Sequence, residues 1–277
     1  MAEIFGFDAY SPKEIAERVE TIGVAKARLP LISMMGLGVL AGGFIGLGAL
    51  YSTLATSDPN LSFAASRLLG GLTFSLGLIL VVVSGAELFT GNNLLVMAWM
   101  SHKISTLELL KNWLIIYLTN LIGAAGLVLI VLFSHHWAMN GGAVGAQAVK
   151  IAAVKVSLPF GEALFKGILC NVLVCLAVWM AIAGRSVTDK VLAIVFPISA
   201  FVAAGFEHSV ANMYFIPLGI LAKDHVSTLP GTVNLEQLTW WGFLNNLIPV
   251  SIGNIIGGGV MVALVYYVVY LRGAKQK

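Results

Sequence analysis

Charge is what this chain has least of. Only 10% of its 277 residues are Asp, Glu, Lys or Arg, against about a quarter in soluble domains, while 58% are hydrophobic. Together with a mean hydropathy of +0.92, this excludes a soluble globular fold and indicates an integral membrane protein. Cysteine is nearly absent. Cys170 and Cys175 lie five apart in one apolar run, on different helix faces and with no His or carboxylate nearby. That argues for packing and against a disulfide framework or a metal site. No strongly basic stretch is present, and a net charge of +3 from scattered residues leaves no footprint for nucleic acid. Asp8, Lys13, Glu14 and Arg18 precede the first long apolar run. A cleavable signal peptide is therefore not expected, and the first apolar helix would itself direct insertion.

What the chain has in abundance is uninterrupted apolar sequence. A helix needs about 20 such residues to cross the hydrocarbon core. Charge-free runs predict spans at roughly 29–54, 110–134, 161–184 and 244–271. Two further runs, between Arg67 and Lys103 and between Lys190 and Lys223, hold 35 and 32 residues and are cut by Glu87 and by Glu207-His208. Their excess length predicts a broken helix in each. Six crossings place both termini on one face. Eleven Lys and Arg, from Lys13 to Lys275 and Lys277, then share that face, and five (Arg67, Lys150, Lys155, Lys166 and Lys223) fall on the other. The richer face is expected to be cytoplasmic. Ahead of the first span, Ser11-Pro12-Lys13-Glu14 reads as a capping box with Pro at the first helical position. Ile15, Val19 and Ile22 share one face of that helix, which is expected to lie on the membrane interface. The organisation is one transmembrane domain: an amphipathic region over 1–28, six spans within 29–272 and a tail over 273–277.

Both broken runs carry the same signature. Gly85-Ala86-Glu87-Leu88-Phe89-Thr90-Gly91-Asn92 and Gly205-Phe206-Glu207-His208-Ser209-Val210-Ala211-Asn212 each read Gly-x-Glu-x-x-x-x-Asn. An ionisable residue inside the bilayer is costly and is a functional-site hypothesis by default. The halves match further: Leu110-Lys111-Asn112 through Asn120 to Gly123 resembles Leu244-Asn245-Asn246 through Asn254 to Gly257. Three spans is an odd number, so the second copy enters from the opposite face. The fold expected is an all-α membrane bundle of six helices, built from two inverted three-helix repeats, with the second and fifth helices broken and facing a common passage. Gly36, Gly38, Gly42, Gly43 and Gly46 in the first span, and Gly253 and Gly257 to Gly259 in the last, allow close helix packing.

His208 is the leading candidate for chemistry. A lone His on an apolar face usually fills the core, but this one sits in a break directly after Glu207, and imidazole exchanges protons near neutral pH. Thr90 occupies the other break, where its hydroxyl can donate and accept; otherwise it would satisfy freed carbonyls. Glu87 and Glu207 are expected to cap half-helix amides. Phe74, Leu78, Leu88 and Phe201 lie close to the breaks in sequence and could form apolar constrictions, which oppose a bare ion but pass a neutral weak acid. Otherwise they face lipid or core. Lys155, in the outer connection with Lys150, would concentrate anions at a mouth, unless it is a solvated loop lysine. Asn171 is a polar residue within a span. His135-His136 lacks a third metal ligand.

These motifs resemble the formate–nitrite transporter family, its formate-channel branch in particular, over nearly the whole chain. The resemblance rests on Phe74 to Leu78, Glu87-Leu88-Phe89-Thr90, Asn171 to Met180, Gly184-Arg185-Ser186, Gly205 to Ser209 with Asn212-Met213, and Asn246 to Pro249 through Gly253 to Gly259. It implies an aquaporin-like fold, a homopentamer in the lipid bilayer with one pore per protomer, and no cofactor. It implies a pore centre at Thr90 and His208, a cytoplasmic constriction at Leu78 and Leu88, and a periplasmic one at Phe74 and Phe201. Lys155, Asn171, Val174, Glu207 and Phe89 would line or polarise the path, with Glu87, Asn92 and Asn212 supporting the half-helices. The function implied is passage of small monovalent weak-acid anions, formate first, with nitrite, acetate and hydrosulfide as relatives' alternatives, across a bacterial inner membrane. The true aquaporin type would carry Asn-Pro-Ala at both breaks, and neither contains it. A membrane enzyme using Glu207 and His208 as acid and base lacks a nucleophile–base–orienter set.

Overall fold

A computed structural model of the chain describes residues 9–226 and 233–273; Asp8 and the tail lysines Lys275 and Lys277 lie outside them. Among the described residues the fold is all-helical, with only an isolated bridge between Ala9 and Gly184. Among the described residues six helices are long and apolar enough to cross a membrane: α2 (Leu31–Ala55), α3 (Phe63–Ser84), α5 (Thr106–Phe133), α7 (Phe160–Ala183), α8 (Val187–Ala204) and the run Trp240–Leu271. That last run is α10 (Trp240–Ile255), continued by wider π-helical turns over Ile256–Leu264 and Tyr267–Leu271.

Shorter elements complete each half. α1 (Pro12–Ala27) begins with the expected capping box, the Ser11 hydroxyl accepting from the Glu14 amide. Two of the three residues of its apolar face are packed into the bundle, while Ile22 stays 38% exposed. Ile15 and Val19 are buried against Met97, Trp179 and Val262, because the end of the bundle offers a matching apolar surface. α4 (Val96–Met100) follows a 3₁₀ turn at Gly91–Leu95, and α9 (Ser209–Ala222) follows the second break. α6 (Ala143–Val156) occupies the stretch that reads from sequence as an outer connection. At 14 residues it is too short to span, but Val144, Ala148, Val149, Ala152 and Val156 recur at helical spacing and are buried.

The breaks differ from simple interruptions. α3 and α8 are each long enough to cross alone, and each ends on a glycine in the left-handed region, Gly85 (φ 78°) and Gly205 (φ 77°). A side chain there would be strained, so glycine lets the chain reverse direction and re-enter the bundle. Within the first half, α2 and α5 close tightly at Gly42, where a Cβ would collide with the Asn120 carbonyl, and the two halves meet as closely at Gly71, where it would strike the Ser199 carbonyl.

Candidate functional site

Two cavities approach the molecular centre from opposite ends. The one on the α1 side, about 500 Å³, is lined by Leu78, Leu88, Glu87, Lys26 and Arg18 among others. The far-side one, about 460 Å³, is lined by Phe74, Phe201, Glu207, Lys155 and His208. The four apolar residues divide between them, Leu78 with Leu88 in the first and Phe74 with Phe201 in the second. Phe74 meets Phe201 edge-on at 5.6 Å between ring centres and stacks on Phe215 at 6.2 Å. Phe215 is a part of this apolar collar that the sequence reading missed.

Between the cavities, the Thr90 hydroxyl and Nε2 of His208 lie 2.9 Å apart, with Thr90 fully buried and His208 2% exposed. The His208 ring stacks on Phe201 at 5.9 Å. His208 is also the N-cap of α9: its Nδ1 accepts from the Ala211 amide at 3.0 Å. An accepting Nδ1 carries no proton, so the neutral ring bears its hydrogen on Nε2 and donates it to Thr90.

Each break is braced by the same set of side chains. At the first, Glu87 accepts from Lys26 Nζ (2.7 Å) and Asn92 Nδ2 (2.7 Å). At the second, Glu207 accepts from Lys155 Nζ (2.9 Å) and Asn212 Nδ2 (2.7 Å). Asn92 also donates to Asn112, and Asn212 to Asn246. Asn120 bridges the carbonyls of Gly38 and Glu87 while accepting from the Phe89 amide. Asn254 bridges those of Gly167 and Glu207 while accepting from the Ser209 amide. Lys26 on α1 and Lys155 on α6 are therefore equivalent, and each repeat includes its short amphipathic helix. This corrects two expectations. Among the described residues neither glutamate caps a helix amide; each holds a lysine and an asparagine. Lys155 is no loop lysine, since α6 presents it to a buried carboxylate. Lys26 was missed, although it precedes Gly38 by the same 12 residues that separate Lys155 from Gly167.

Asn171, Val174 and Phe89 line neither cavity. Asn171 Nδ2 lies within hydrogen-bonding reach of the carbonyls of Thr90 (3.2 Å) and Asn254 (2.7 Å) and of Asn93 Oδ1 (2.9 Å). The Cys175 thiol also donates to the Thr90 carbonyl. Asn171 and Cys175 thus hold the Thr90 carbonyl from behind, which a polar residue within a span can do without lining either cavity. Val174 is buried in the core, and Phe89 packs edge-on against Tyr117 at 4.9 Å.

The geometry stands alongside what the whole chain matches. The family model for the formate/nitrite transporter matches residues 13–268. The chain belongs to the formate/nitrite transporter family. It is 44% identical over 274 residues to the formate channel FocA of Escherichia coli (strain K12), covering 96% of each chain. A solved pentameric formate channel with formate bound superposes with a TM-score of 0.80 at 40% identity, covering 87% of this chain and 98% of that one. An FNT family ion channel superposes at 0.82 with 29% identity, covering 92% and 98%. The aquaporin-like six-helix fold of the sequence reading is therefore the fold of this family member.

Proposed function

We propose that the protein is a formate channel of a bacterial inner membrane, one domain per pore and five copies per assembly, with α1 and both termini on the cytoplasmic side. The names of its relatives support the substrate and the pentamer, and the excess of basic residues on the α1 side supports the orientation. The observation that carries the reading is the buried Thr90–His208 contact, set between apolar collars with a lysine on each outer side. A bare anion has nothing to replace its water shell there. Formate has an alternative, because it can take a proton and cross as a neutral acid.

Lys26 and Lys155, each held by a buried glutamate, flank the centre, the unpaired cations of the far-side cavity draw the anion in, and His208 exchanges the proton. The neutral ring can donate a hydrogen bond from Nε2 but has no spare proton. It gains one at Nδ1 from water of the far-side cavity, which it lines, by releasing the Ala211 amide, a lost cap of about 1 kcal/mol. An anion at Nε2 offsets that loss by its charge. The Nε2 proton then passes to the carboxylate, leaving formic acid and a neutral ring protonated at Nδ1. Formate uptake into proteoliposomes across pH 5–8, with nitrite as competitor, tests the reading. Saturable, pH-dependent formate flux is expected. Nitrite or hydrosulfide passing without formate would assign the protein to another substrate of the same family.

A further inference from the structure

The two re-entrant turns are alike in backbone but not in surroundings. Gly85 has open space beside it, whereas a Cβ at Gly205 would strike Nη2 of Arg67. Arg67 rises from α3 into the far-side cavity, where it lines the wall with Gly205, Phe206 and Glu207. Its Nε donates to the Ala203 carbonyl at 2.6 Å, at the C-terminal end of α8, and its guanidinium lies 5.9 Å from the Phe63 ring centre. Nε and the glycine surface therefore fix the plane of the guanidinium. Nη1 and Nη2 make no hydrogen bond among the described residues.

The other cations of this cavity are different. Lys155 is paired with Glu207 and Lys166 with Glu162, so each brings its own countercharge. Arg67 and Lys150 have no ion pair among the described residues and supply the net positive charge of the vestibule. Lys150 offers a point charge on a flexible stem. Arg67 offers a rigid pair of parallel N–H donors, the geometry that two oxygens of one planar anion satisfy together.

We propose that Arg67 is a specificity residue: the open Nη1–Nη2 edge docks planar anions with two equivalent oxygens at the far-side entrance, ahead of the aromatic collar. Carboxylates and nitrite fit this fork, while hydrosulfide, with one acceptor atom, does not. The inference rests on the anion-channel reading above. It extends that reading from attraction by charge to selection by shape.

The test is the flux of formate, nitrite and hydrosulfide, each at sub-saturating concentration, through proteoliposomes of the full chain, R67K and K150Q. R67K keeps the charge and loses the fork. It is expected to lower formate and nitrite flux about ten-fold, as loss of one bidentate charge-assisted contact would, while hydrosulfide changes less than two-fold. K150Q is expected to lower all three alike. A common factor for all three anions in R67K, or no change in any, overturns the proposal and leaves Arg67 as a cap on α8. A channel passing nitrite but not formate sinks the formate reading alone, and the fork is then judged on nitrite. Passage of hydrosulfide only overturns both. Melting temperatures of the detergent-solubilised variants separate lost docking from lost fold.

Discussion

After Glu87 the chain reads Leu88, Phe89, Thr90; after Glu207 it reads His208, Ser209, Val210. The residues around these triplets are matched one for one. Lys26, Glu87, Asn92, Asn112 and Asn120 repeat as Lys155, Glu207, Asn212, Asn246 and Asn254, with hydrogen-bond lengths alike to within a few tenths of an ångström. Under this correspondence the counterpart of His208 is Leu88, and that of Thr90 is Val210. The scaffold is symmetric and the chemistry is not. A duplicated brace makes each re-entrant turn rigid. One turn then places an imidazole at the centre, while the other adds a leucine to an apolar collar and sends its hydroxyl to that imidazole.

The brace itself provides the largest expected effect. Glu207→Gln leaves Lys155, only 13% exposed, without its countercharge. Unfolding in detergent should show a loss of about 3–5 kcal/mol, as when a buried ion pair is broken from one side. Glu87→Gln leaves Lys26 with 28% exposure and more access to water, so its loss should be smaller. Equal losses would contradict the difference in burial between the two braces.

The support behind Thr90 gives the next contrast. Gly258 lies against Asn171 and Cys175, the two groups that hold the Thr90 carbonyl. Its counterpart by the Asn120–Asn254 spacing is Ala124, already carrying a methyl group and fully buried. Gly258→Ala should overpack by about 1–3 kcal/mol and lower flux by moving Thr90. Unchanged flux with lowered stability would separate the packing from the pore centre.

The smallest effects belong to the paired short helices. α1 has a capping box, whereas α6 begins at Gly142 with no side-chain cap. Ser11→Ala should destabilise α1 by about 1 kcal/mol, read as faster amide exchange in α1 than in α6. The hydrogen bonds from the Ser11 amide and hydroxyl, assisted by Arg185 and Arg18, hold the Glu14 carboxyl below its usual 4.5. A lowered folded-state value adds stability above the unfolded value that is lost as pH falls through the folded one. Protection of α1 should therefore weaken in acid below the usual carboxylate range, and Glu14→Gln should flatten that dependence.

Much of this arrangement was legible in the sequence. Glu87 and Glu207 stood out because carboxylates are rare in apolar runs, and the spacing to Asn92 and Asn212 announced the repeat. Leu78 and Leu88 line one cavity and Phe74 and Phe201 the other, and all four lie close to the two breaks in sequence. Lys26 and α6 were harder to see. Searching for membrane-length runs passes over 14 residues, and the stretches between Lys and Glu differ in length in the two halves, 61 residues against 52. The role of Asn171 was hidden because a buried amide in a helix reads the same whether it faces a passage or a backbone carbonyl. Arg67 looked like one outer cation among five, since nothing in its neighbours along the chain shows that it reaches the end of α8.

The central claim is that the asymmetric centre exchanges a proton through His208. It is tested most directly by formate uptake from pH 5 to 8 in the wild type and in His208→Asn. Asparagine can keep the N-cap bond to the Ala211 amide but cannot titrate, so the fold of the break is preserved while the exchange is removed. The account predicts that the variant inserts and unfolds like the wild type while its formate flux loses the wild-type pH dependence. A His208→Asn channel with the wild-type flux and the wild-type pH profile would contradict it.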